Sequence, residues 1–77
     1  MTRVYDEIID FIAGGSSPSD VAEFQPSEEV RERVADLIDR QRTSTLSPAE
    51  ADELDRYLEL EHMMRLAKAR ARGRLAP

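Results

Sequence analysis

Apolar residues recur at helical spacing in three stretches of the 77-residue chain, and clusters of glycine, proline and hydroxyl residues separate them. In the first stretch Val4, Ile8, Phe11 and Ile12 fall at i, i+4, i+7 and i+8, one stripe of a helix, with Tyr5 and Ile9 as a flanking row. This predicts a helix over about 2–13, ended by Gly14-Gly15, since glycine is favoured just past a helix. Ser16–Asp20 reads as punctuation, and Val21–Phe24 as a single turn that Pro26 prevents from continuing. Val21 and Phe24 are expected to plug the core.

The second stretch, about 28–42, repeats the spacing with Val30, Val34, Leu37 and Ile38. Ser27 is its expected N-cap, and Glu28 and Glu29 in the first turn suit the helix dipole. Thr43–Leu46 breaks the pattern. Ser47-Pro48-Ala49-Glu50 then joins a capping serine, proline at the first helical position and glutamate at N3. No breaker follows until Gly73, so a helix over about 48–72 is expected. The short connection makes it an antiparallel hairpin with the second helix. The fold class is therefore all-α: one domain over 1–77, an N-terminal helix plus a hairpin with a long C-terminal helix.

The last helix is too apolar for one contact. At about 100° per residue, Leu54, Tyr57, Leu58, Leu60, Met63, Met64 and Ala67 sweep roughly 220°, and Leu66 lies outside even that arc. Two shorter helices cover about half of it, so the surface beyond about Leu60 is expected to seek a partner. The candidate partner-binding residues are Tyr57, Leu60, Met63, Met64, Leu66 and Ala67.

Composition sharpens this. A chain this short has a marginal core, and with no cysteine it has neither a disulfide staple nor a thiolate metal site. The net charge of −5 is the sum of two unlike parts. Residues 1–61 carry −10, and residues 62–77 carry +5 from Arg65, Lys68, Arg70, Arg72 and Arg74, with no acid. The basic tail over 65–77 is a candidate nucleic-acid contact, set against the simpler reading of cations complementing the C-terminal end of a helix. The acidic body opposes a dedicated nucleic-acid binder. No run approaches the length of a membrane span and no signal-peptide core opens the chain, so a cytoplasmic protein is expected.

Candidate chemistry is sparse. Glu59-Leu60-Glu61-His62 contains Glu-x-x-His, the i, i+3 pair that di-iron bundles use, yet such a site needs two copies plus further glutamates, with Glu53 as one candidate. The chain has one motif and one histidine, so no metal and no cofactor is expected. The serines sit at caps and turns, where hydroxyls are structurally wanted, with only His62 to activate any of them. Gly14-Gly15 lacks the Lys-Ser/Thr of a phosphate loop. The expectation is a non-enzyme.

Tyr5–Ala13, Phe24–Ser27, Arg33–Ile38 and Leu46–Glu50, followed by Glu53–Ala71, together resemble small uncharacterised bacterial all-helical proteins often encoded beside an HNH-type nuclease. The resemblance spans nearly the whole chain and is most specific at Tyr57–Ala71. It implies an antitoxin-like role, binding and regulating a partner nuclease, and supplies no catalytic residues. A nuclease groove is basic, so the acids Glu28, Glu29, Glu32, Asp36 and Asp39 would form the rim of such a contact and Leu60, Met63, Met64 and Leu66 its anchors. The basic tail would separately reach operator DNA. Two other readings stand beside this one: a structural homo-oligomer in which the last helix pairs with its symmetry mate, and a small nucleic-acid binder led by residues 65–74.

Overall fold

The computed structural model describes residues 3–76 and contains four helices: α1 (Asp6–Ala13), α2 (Pro18–Glu23), α3 (Glu28–Thr43) and α4 (Pro48–Leu75). The fold is all-α, with no strand among the described residues. Helix α4, 28 residues long, is the spine of a molecule whose longest dimension is 48 Å.

The other helices are placed along α4 by their contacts. The Val4 amide donates to Glu53, while Phe11 and Ile12 share a groove with Met63 and Met64, so α1 runs parallel to α4. Pro18 lies by Ala71 and Arg74, and Phe24 by Glu61 and Met64, so α2 runs antiparallel to it. Arg40 meets Glu50 and Val34 lies by Tyr57 and Glu61, so α3 continues in the direction of α2. The arrangement is up, down, up, with the descending limb broken into α2 and α3 around Pro26. The hairpin of α3 with α4 is as the short connection predicts.

Local chemistry sets the ends. Ser47 and Glu50 form the expected capping box of α4, and Ser27 accepts from the Val30 amide at 3.2 Å to cap α3. Ser17-Pro18-Ser19-Asp20 forms a second capping box, which starts α2. This corrects the reading of that segment as mere punctuation: the pattern is the same serine, proline and acid at the same spacing. Gly15 takes φ 72°, the left-handed turn that separates α1 from α2, whereas Gly14 stays right-handed. Two boundaries differ from the sequence expectation. Val4 and Tyr5 form a turn ahead of α1, which begins at Asp6; the expected start at Thr2 lies outside the described residues. At the other end α4 passes through Gly73 to Leu75, because one helical glycine costs only about 1 kcal/mol relative to alanine.

The core gathers Val4, Ile8, Val34, Leu37, Leu54, Tyr57 and Met64, with Ile8, Leu37 and Leu54 fully enclosed. Val21 and Phe24 pack against it as expected, and the rings of Phe24 and Phe11 lie 4.4 Å apart between centroids. Glu53 is the one buried charged residue among those described, 7% exposed. Its two carboxylate oxygens are used separately: Oε2 accepts the Val4 N–H at 3.2 Å and Oε1 accepts from Arg33 Nη2 at 3.4 Å. Helix α1 is also tied to the α2–α3 junction, where the Ser27 N–H donates to Glu7 Oε1 at 2.7 Å.

Candidate protein-interaction surface

The buried residues of α4 (Glu53, Leu54, Tyr57, Met64 and Ala71) occupy an arc of about 100° at 100° per residue. The broad apolar sweep of this helix is thus divided into a narrow stripe facing the other helices and a remainder facing outward. Of the six residues expected to bind a partner, Tyr57 and Met64 lie in the intramolecular core, 3% and 6% exposed. Their assignment to a partner is corrected: Tyr57 lies by Ile8, Pro26 and Val34, and Met64 by Phe11, Val21 and Phe24. Helix α2, longer than the single turn over Val21–Phe24 expected from the sequence, brings Val21 and Phe24 over the distal half of α4. Leu60 and Ala67 are half-buried at the edge of the same stripe. Met63 and Leu66 remain, 62% and 56% exposed on the outer face.

Ile12 of α1, also 56% exposed, joins them although the sequence reading places it in the core stripe. It shares with Phe11, Val21, Met63, Met64 and Ala67 an open apolar groove of about 270 Å³. Spacing alone does not mark this, since two neighbouring positions about 100° apart can share one stripe, as Glu53 and Leu54 do. Exposed apolar side chains of this size, grouped across two helices, are the usual mark of an interaction site.

The cations of the last turns do not form one stripe. Arg65, Lys68 and Arg72 lie within about 60° of one another around α4, whereas Arg70 and Arg74 lie on the outer face with Met63. Arg65 is bound to Glu61 at 2.9 Å; Lys68, Arg70, Arg72 and Arg74 have no ion pair among the described residues. The five residues expected to contact nucleic acid are therefore divided between two faces.

Charges elsewhere are engaged in the fold. Arg33 and Arg40 of α3 reach Asp36 and the start of α4, with Arg40 Nη1 at 2.7 Å from Glu50 Oε2. The hydrogen bond from Arg40, together with that from the Ser47 backbone, holds the Glu50 carboxyl at about 2, well below its ordinary 4.5. Burial pushes the Tyr57 phenol up, and the nearby Glu61 charge adds to the shift. On α3, Glu28, Glu29, Glu32 and Asp39 are exposed and unpaired among the described residues, while Asp36 is flanked by Arg33 and Arg40. Glu59 and His62 are both exposed, and Glu53, the acid considered as their third ligand, is committed to Val4 and Arg33. No three potential metal-ligating side chains converge among the described residues. No described helix is long and apolar enough to cross a membrane. No family model matches the chain, and no curated protein or solved structure is significantly similar to it.

Proposed function

We propose that this protein is a non-enzymatic protein-binding module that acts by docking onto another chain, in the manner of an antitoxin-like inhibitor or regulator. One observation carries the reading: Ile12, Met63 and Leu66 are large apolar side chains held in solvent on a small domain. Leaving them there has no benefit to the isolated fold, and burying them against a protein does. Two features of charge support a basic partner. The body of the molecule is strongly acidic, and four acids on α3 (Glu28, Glu29, Glu32 and Asp39) are exposed with no cation paired to them among the described residues. A nuclease, whose substrate groove must be basic, has the complementary field, and attraction of this kind chiefly accelerates encounter and selects the partner.

The test is direct. The protein is mixed with the product of the neighbouring reading frame, which the proposal requires to be a basic nuclease, and DNA cleavage and complex formation are followed together. Stoichiometric inhibition is expected, with association slowed by salt and largely lost in a Glu28→Lys, Glu29→Lys, Glu32→Lys variant. Unimpeded cleavage with no complex at micromolar concentrations would refute the nuclease as partner.

A further inference from the structure

The outer face of α4 carries two pairs of like charges at a spacing that a helix disfavours. Asp55 and Glu59 are four residues apart, as are Arg70 and Arg74, so like charges lie side by side. The same spacing is also used for attraction on α4, by Asp52 with Arg56 on this face and by Glu61 with Arg65 on another, each closing at 2.9 Å. Asp55, Glu59, Arg70 and Arg74 are all exposed, and none takes part in an ion pair among the described residues. Met63 and Leu66 lie between the acidic and the basic pair, also exposed. At about 100° per residue all six side chains fall within an arc of roughly 100°.

We propose that this face is the seam of an antiparallel homodimer, with α4 of one copy packed on α4 of a second about a twofold axis passing between Met64 and Arg65. In that register Met63 is level with Leu66 of the second copy, Glu59 with Arg70 and Asp55 with Arg74, and symmetry makes each contact twice. Every like-charged neighbour within a helix gains an opposite charge across the seam. Neighbouring registers do not achieve this. A slide of one heptad sets Leu66 against Arg70 in one direction and Glu59 against Met63 in the other, while a parallel pairing sets Glu59 on Glu59 and Arg70 on Arg70. Ile12, beside Met63, widens the apolar centre of the seam. The inference rests on the reading of this face as a protein-binding surface and names its occupant; a basic partner would meet the separate acidic face of α3.

Sedimentation velocity from micromolar to millimolar concentration tests it, with circular dichroism to show that each variant is folded. The wild-type chain dimerises. Glu59→Arg alone and Arg70→Glu alone each weaken the dimer by about tenfold or more, because each puts two pairs of like charges across the seam. An equimolar mixture of the two single variants recovers the dimer, since in the mixed species both cross-seam pairs between positions 59 and 70 again join opposite charges. The double variant, carrying Glu59→Arg and Arg70→Glu on one chain, recovers it with itself for the same reason. A wild-type monomer at millimolar concentration, or single variants that dimerise no better when mixed, would overturn the proposal. The outcomes are separable from those of the nuclease experiment: a chain that stays monomeric yet inhibits a nuclease overturns the dimer alone, and a dimer that binds no nuclease overturns that partner alone.

Discussion

Replacing Glu53 by leucine and by glutamine isolates what a buried carboxylate contributes to this fold. In the leucine variant the Val4 N–H, on a residue only 3% exposed, loses its acceptor, and a buried unpaired donor costs about 1–3 kcal/mol. The accompanying loss at Arg33 is smaller, on the order of 0–1 kcal/mol, because that side chain is 29% exposed and retains Asp36 at 3.6 Å and Glu50 at 4.0 Å. The added apolar contact of leucine offsets part of this, leaving a net cost of about 1–3 kcal/mol. Glutamine keeps an acceptor oxygen for Val4 and gives up only the charge, so its cost is about 1 kcal/mol or less. Against a total stability on the order of 4–12 kcal/mol for a domain of this size, the difference is readily measured. Urea denaturation followed by circular dichroism, with thermal melts in which each kcal/mol shifts Tm by about 4–8 °C, ranks the variants wild type, then Glu53→Gln, then Glu53→Leu. A leucine variant as stable as wild type, or a glutamine variant as damaged as leucine, would show that the bond to Val4 is not what holds α1 in place.

Other consequences are as specific. The Glu50 carboxyl, held at about 2 against an ordinary 4.5, contributes stability that is fully present above about 4.5 and is lost as pH falls toward 2. Acid titration of Glu50→Gln should therefore show a shallower loss of stability through that window than wild type, and equal slopes would remove Glu50 from the acid response. Leu54→Ala, at a site 1% exposed, should cost about 2–5 kcal/mol in urea titration, while Leu66→Ala at low protein concentration should stay within about 0.5 kcal/mol of wild type. Gly73→Ala should raise Tm slightly, by the equivalent of up to about 1 kcal/mol, because the added methyl meets nothing within 4 Å and the residue is inside α4; a lower Tm would mean that the last turn of α4 is not helical in solution.

Much of this architecture is legible from spacing alone. Val4 and Ile8, Val34 and Leu37, and Leu54, Tyr57 and Met64 are separated by three, four or seven residues, and each set points inward. What spacing does not reveal is the extent of α2. Six residues are too few for a hydrophobic period to register, and so short a helix persists only because Val21 and Phe24 pack on its neighbours. Its start is nonetheless written in Ser17-Pro18-Ser19-Asp20, the same device that opens α4 at Ser47. Without the full α2, Met64 looks uncovered and the interaction surface seems broader than it is. Met63 and Leu66 face outward as the spacing implies, but Ile12 does too, because a regular stripe on a short helix does not say how wide the covering surface is. The role of Glu53 is invisible in the sequence for another reason: its partners, Val4 and Arg33, lie 49 and 20 residues away.

That separation has a bearing on how the chain is made. The amide of Val4 has to wait for a carboxylate 49 residues downstream, and at a synthesis rate of about 5–20 residues per second the delay is roughly 2–10 s. Through that interval the stripe of Val4, Tyr5 and Ile8 can meet only the residues of α2 and α3, since Leu54 and Tyr57 have yet to be translated. The segment of this domain that is synthesised earliest is thus the last to complete its contacts: α1 can meet the α2–α3 junction early, but its Val4 end stays open until the first turns of α4 exist.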